Sequence, residues 1–294
     1  MGPDYRWIEK QRGRLLPCSH FPVTFTIPGD LRPLARSHPK ILYGLLMKAA
    51  ADALQKLAND PRFLGARIGA LAVLHTWTRA MLLHPHVHML VTAGGLSADG
   101  AWIDSKHSRF LVPVHALAVI FRAKFCAGLK KAGLLAGLCS SLWKKKWVVH
   151  CQPAGRGEKV LDYLGRYVFR IAISNSRLEA LDNGHVRFRY RDNRTQQIRR
   201  VTLPAHEFLD RFLQHVLPRG SVKVRYYGIW SPAKRKQLDS ARAQLAAKGP
   251  AAATESTLSL PALSVVPAPL RCPLCHAGIL LFLHTLPPQR SHSP

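Results

Sequence analysis

Along Phe21-Pro-Val-Thr-Phe-Thr-Ile27 the apolar residues fall at every second position and the pattern stops at Pro28-Gly29, which predicts a strand closed by a turn. From His38 to Leu57 the period changes. Ile41, Leu42, Leu45, Leu46, Ala49, Ala53 and Leu54 recur three and four apart, the signature of an amphipathic helix. Residues 68–77 and 87–92 are apolar runs of strand length, the second ending at Gly94-Gly95, and read as neighbouring antiparallel strands. Helical spacing returns from Val114 to Leu135. Residues 147–151 read as a strand, and the glycines at 155 and 157 mark a loop before a helix from Glu158 to Arg170. The order β-α-β-β-α-β-α resembles a split βαβ sheet with helices on one face. The fold class expected is therefore α+β, an antiparallel sheet with helices packed on it.

Further along, residues 186–191 and 197–203 form the arms of an arginine-rich hairpin with Asp192-Asn193 at its turn, and residues 204–216 suit a short helix. Beyond Gln237 the composition shifts to Ala, Pro and Ser, which predicts a linker, with order ending near residue 245. No internal repeat is present, which sets solenoid folds aside.

At 294 residues and 47% apolar content the chain can bury a sizeable core. Lys and Arg number 43 against 16 Asp and Glu, a formal net charge of +27, so nucleic acid is the expected partner. The first fifteen residues carry scattered charge and no signal-peptide core. The longest apolar runs fall short of the roughly 20 residues needed to cross a bilayer. Four of the six cysteines (Cys18, Cys126, Cys139, Cys151) sit singly in apolar patterns, as buried thiols do in a reducing compartment, so no disulfide framework and no membrane span are expected. Cys272-Pro-Leu-Cys275 is half a zinc-ribbon signature with no second cysteine pair, and reads as part of a tail.

Two clusters carry chemistry. In a strand, residues two apart face the same way, so His86 and His88 of His84-Pro-His-Val-His88 project together and suit a metal. Pro85 fits the first position of a strand, which assigns His84 to the turn and leaves His75, on the preceding strand, as the better third ligand if the register brings it alongside. On the helix that follows, Tyr163 and Tyr167 lie four apart and share a face, with Arg166 and Arg170 as an adjacent stripe suited to phosphate. A phenol of pKa about 10 is only about one part in a thousand ionised at pH 7, a deficit of about 4 kcal/mol. A divalent cation on a scissile phosphate would offset that deficit, so the two clusters complement each other. Basic runs with interleaved aromatics, Lys144, Lys145 and Lys146 between Trp143 and Trp147 and Arg187-Phe-Arg189-Tyr-Arg191, suit single-stranded DNA, with bases stacking while phosphates are neutralised. The residues alone leave two other classes open: a non-catalytic nucleic-acid-binding protein, and a zinc hydrolase built on His75, His86 and His88.

These motifs resemble one family, the two-tyrosine HUH transposases of rolling-circle insertion sequences, family ninety-one, relatives of Rep proteins and relaxases. The likeness runs through residues 21–28, 42–57, 64–69, 72–77, 84–91, 94–100, 161–178 and 222–230, most of residues 8–235. It implies that His86 and His88 bind Mg²⁺ or Mn²⁺, and that Tyr163 and Tyr167 attack single-stranded DNA at the element's ends and target through 5′-phosphotyrosine intermediates. It also strengthens His75 as the third ligand, and implies a cytoplasmic, nucleoid-associated protein. The expected domain plan is a catalytic domain over 1–235 with a basic DNA-binding hairpin near 186–203, a linker over 236–270 and a tail over 271–294. Full-length members carry a cysteine-rich zinc-binding module ahead of the position equivalent to Met1, so a catalytic core lacking that module is expected here.

Overall fold

The computed structural model describes residues 3–248, apart from residues 137, 139–141, 143, 144, 146, 170, 171, 193 and 194. In chain order its elements are α1 (Pro3–Arg12), β1 (His20–Thr26), α2 (Arg32–Ser37), α3 (Pro39–Ala58), β2 (Arg67–Trp77), β3 (Leu83–Leu96), β4 (Trp102–Asp104), α4 (Val114–Lys131), β5 (Val148–Cys151), α5 (Glu158–Phe169), β6 (Leu178–Asp182), β7 (His185–Arg191), β8 (Ile198–Pro204), α6 (Ala205–Leu213), β9 (Val224–Gly228) and α7 (Arg235–Ala247).

The main sheet is antiparallel, in the order β5-β1-β3-β2-β9, with β4 paired to the far end of β3. Its two faces follow from strand alternation. On one face Phe21, Val23, Phe25, Ile68, Ala70, Ala72, Leu74, Val87, Met89 and Val91 pack with α3 and α4 in the main core, where Phe25 meets Phe121 edge-on at 5.0 Å. Burying each Phe or Leu there contributes about 1.5–3 kcal/mol. The opposite face carries His20, Thr24, Leu71, His75, His86, His88 and Thr92. Its polar positions are what the alternation leaves after the core is filled. Helix α5 crosses this second face, against β2 and β3, and α1 packs on α5. The α+β class and the antiparallel sheet are thus as expected, but helices cover both faces, and the tyrosine helix lies opposite α3 and α4.

A second sheet, β6-β7-β8, is antiparallel throughout. Met81, Ala172, Phe188 and Leu203 form its core, closed over by Phe208 and Phe212 of α6.

Several boundaries differ from the sequence reading. Strand β3 begins at Leu83, so His84 is a strand residue and Pro85 is internal. Proline is accommodated because the β1 ladder starts at Thr26↔His86 and the β2 register shifts between His75 and Trp77, so position 85 owes no ladder hydrogen bond. Helix α7 occupies Arg235–Ala247, where the first part of the linker was expected. Its buried Ala241 and Leu245, together with the hydrogen bond from Trp102 N to Gln244 Oε1 at 2.8 Å, fix it against the sheet. The remainder of the 236–270 and 271–294 segments, with Cys272 and Cys275, lies outside the described residues. Helix α4 ends at Lys131 rather than continuing to 135, and α1, β6 and β9 were not anticipated.

Candidate active site

The register that the sequence could not show sets the site. His75 on β2 pairs directly with His86 on β3, and His88 lies two residues on, so the three imidazoles share one face. Their ring centroids are 5.2 Å apart for His75–His86, 4.4 Å for His75–His88 and 4.9 Å for His86–His88. One nitrogen from each ring lies within 4.8 Å of the others. His84 is not in this group. Its carbonyl accepts a hydrogen bond from His86 Nδ1 at 2.6 Å. A carbonyl can only accept, so Nδ1 carries the proton and Nε2 keeps its lone pair for a ligand. Thr24 Oγ1 lies 3.0 Å from His88 Nδ1, because β1 sets Thr24 directly opposite His88. When His88 offers Nε2, its Nδ1–H donates to that hydroxyl.

Burial holds all three rings neutral. It pushes His86 down to about 4, and it lowers His75 and His88 well below the ordinary value, with the neighbouring imidazoles adding repulsion. Three neutral imidazole donors converging from one hairpin fit a divalent cation with coordination positions left open. The set contains no carboxylate, and neutral imidazole is a common ligand of divalent metals.

Tyr163 comes from α5 to the edge of this cluster. It is 9% exposed, and its ring stands edge-on to His88 at 5.9 Å. Four contacts seat the helix that carries it. At its start, Gly157 has φ +86° and lies so close to His20 that a Cβ would stand 2.9 Å from the imidazole. Along its outer side, Gly165 admits Ile8 of α1, whose Cγ1 would be 2.5 Å from a Cβ. Arg12 of α1 also pairs with Asp162 at 2.8 Å. At the far end Lys223 Nζ donates to Val168 O at 3.0 Å, where the helix dipole favours a cation. Burial lowers Lys223 to about 8, and the ammonium lies 5.1 Å from the Trp77 ring, which itself stacks on His75 at 5.7 Å.

A family model described as "Putative transposase" (Y2_Tnp) matches residues 69–237, more than half of the chain. The chain belongs to this transposase family. It is 38% identical over 313 residues to "Putative transposase y4qJ" of Sinorhizobium fredii (strain NBRC 101917 / NGR234), across 94% of this chain and 76% of that protein. It is 33% identical over 237 residues to "Transposase for insertion sequence element IS801" of Pseudomonas savastanoi pv. phaseolicola, across 76% of this chain and 57% of that protein. Among solved structures, the conjugative relaxase TrwC in complex with oriT DNA, in metal-bound form, aligns at a TM-score of 0.32 with 13% identity, over 79% of this chain and 72% of that one. The metal-free form of the same complex gives 0.32 and 14%, over 77% and 72%.

The other residues expected to contact DNA are spread more widely. Tyr167 and Arg166 lie on α5, but their side chains, like residues Arg170, Lys144 and Lys146, fall outside the description. Lys145 is paired with Asp30 at 2.7 Å, an exposed bridge that a phosphate could replace at little cost. Arg187, Arg189 and Arg191 are exposed on β7, while Phe188 between them is fully buried and Tyr190 packs against the second sheet's core. The cations and aromatics that alternate in sequence therefore face opposite ways. Thr24, Trp77 and Lys223 were missed. Thr24 and Lys223 become part of the site only through pairing with strands tens or more than a hundred residues away, which no local pattern signals, whereas Trp77 stacks on His75 from two residues along the same strand.

Proposed function

We propose that the chain is a metal-dependent tyrosine DNA endonuclease and strand transferase that moves an insertion sequence by a rolling-circle route. In this reading residues 1–247 make up the catalytic unit. His75, His86 and His88 would hold the cation, Mn²⁺ or Mg²⁺, which when bound supplies Lewis-acid stabilisation to the phosphoryl oxygens of the scissile bond. Thr24 fixes the His88 ring, and the His84 carbonyl fixes His86.

The phenol oxygen of Tyr163 or Tyr167 attacks the phosphorus of single-stranded DNA at an element end. The phosphorus–O3′ bond breaks, the 3′ oxygen takes a proton and the 5′ phosphate remains on the tyrosine. One phosphodiester is exchanged for another, so rejoining to a different 3′-hydroxyl needs no external energy. A second tyrosine one helical turn away allows a second strand to be held while the first is passed on.

The observation that supports this reading is the 5.9 Å approach of the Tyr163 ring to His88, on a sheet face where three neutral imidazoles converge. The test is incubation of the protein with labelled single strands carrying element ends, with Mn²⁺, followed by denaturing electrophoresis. A covalent protein–DNA band is expected with the native chain and with at least one of Tyr163→Phe and Tyr167→Phe, and is lost in the double variant. A band that survives the double substitution, or none with any end sequence, would overturn it.

A further inference from the structure

The outer face of the second sheet presents His185, Arg187, Arg189 and Arg191 from β7 beside Arg200 and Thr202 from β8, all exposed. Arg189 and Arg200 are direct cross-strand partners, an arrangement that is destabilising unless an anion lies between or above the two. Glu179 answers only Arg200, at 3.0 Å. Among the described residues Arg187, Arg189 and Arg191 form no ion pair; Arg189 and Arg191 bond only to the carbonyls of Ser176 and Gln196. Alternate strand residues are about 6.6 Å apart, so the three guanidiniums span about 13 Å, roughly four axial phosphate steps of one DNA strand.

We propose that this face holds the phosphate backbone of duplex DNA, apart from the single strand at the histidine and tyrosine site. Single-strand surfaces combine cations with aromatics on which bases stack. Here Phe188 is 0% exposed and Tyr190 belongs to the inner core, so the face offers guanidiniums and no stacking platform. Such a surface recognises the dense, regular charge of a duplex and positions it without reading bases. The face is tied to the catalytic end of the main sheet. Arg79, in the turn that follows β2, donates to Arg191 O at 3.2 Å, and Met81 of the same turn lies in the second sheet's core. A duplex on this face would thus lead toward the cluster that His75 begins.

This proposal rests on the reading that the chain acts on DNA, but its readout is binding rather than cleavage. The full chain and the triple variant Arg187→Gln, Arg189→Gln, Arg191→Gln are titrated against a blunt duplex and against oligothymidine over a range of salt concentrations. For the duplex, the slope of log affinity against log salt should fall by about 0.9 for each contact removed, about 2.7 in all, while the oligothymidine slope is retained. The corresponding triple lysine variant should keep the duplex slope, which separates lost charge from lost folding. An unchanged duplex slope, or an equal loss on oligothymidine, overturns the proposal. Either result leaves tyrosine adduct formation to stand or fall by its own assay, whereas a native chain that binds neither DNA would defeat both readings.

Discussion

In the proposed metal centre Thr24 would do what a carboxylate does elsewhere: with His88 offering Nε2, the hydroxyl accepts from Nδ1–H at the back of the ring and so fixes it. Its hydroxyl sits 3.0 Å from His88 Nδ1. Such outer partners are worth about 10–100-fold in metal affinity. Thr24→Val, which keeps the shape and removes the acceptor, should therefore weaken Mn²⁺ binding by about that factor with little change in the melting temperature. Calorimetric titration with Mn²⁺ would decide it, and an unaltered dissociation constant would remove Thr24 from the site. At this scale the sequence was partly legible. His86 and His88 could be paired from the two-residue period of a strand alone. His75 could be named but not seated, because its place depends on the register between two strands. Thr24 carried no signal, since nothing local distinguishes it from Thr26.

At the scale of elements, α5 was legible in its bounds and its tyrosine spacing, whereas α1 was not. Helix α1 is polar on average, and its reason for being there is Gly165, which lets Ile8 approach where any side chain would collide. Gly165→Val should force α1 away from the tyrosine helix. The expected cost is about 1–3 kcal/mol, read as a lower melting temperature, together with a lower rate of covalent adduct formation. Native behaviour in both measurements would mean that α1 does not hold α5. Pro85 illustrates the opposite difficulty. A proline inside an apolar run reads as a strand boundary, yet the bulge between His75 and Trp77 frees that position from the ladder and lets β3 begin two residues earlier.

For the whole molecule, the excess of basic residues announced a nucleic-acid partner, and the described residues contain no helix long and apolar enough to cross a membrane. The charge gave the partner class but not its layout, because which way each arginine points depends on pairing among β6, β7 and β8. Stability is also a property of the whole. His20 is 0% exposed, neither ring nitrogen has a hydrogen-bond partner of good geometry among the described residues, and burial lowers it to about 4. The unfolded chain takes up the proton near pH 6.5 and the folded one does not. Stability is therefore full above about pH 6.5 and is lost as pH falls toward 4, by about 3 kcal/mol for this group. Urea midpoints of the metal-free protein at pH 7, 6 and 5 should fall in that order; a flat profile would contradict it. Most surface carboxylates remain ionised in that window, so the loss reports buried histidines.

The three imidazoles all belong to one hairpin, within the fourteen residues from His75 to His88, whereas Tyr163 arrives from 75 residues further along the chain. In the proposed function, cation capture would in this sense be a local property and nucleophile delivery a distant one, so the two could be lost independently. A copy that keeps its fold but loses the tyrosines could still load its ion while being chemically inert. In a collection of such copies, metal retention would overcount the living ones, and only the covalent adduct would separate them from the relics.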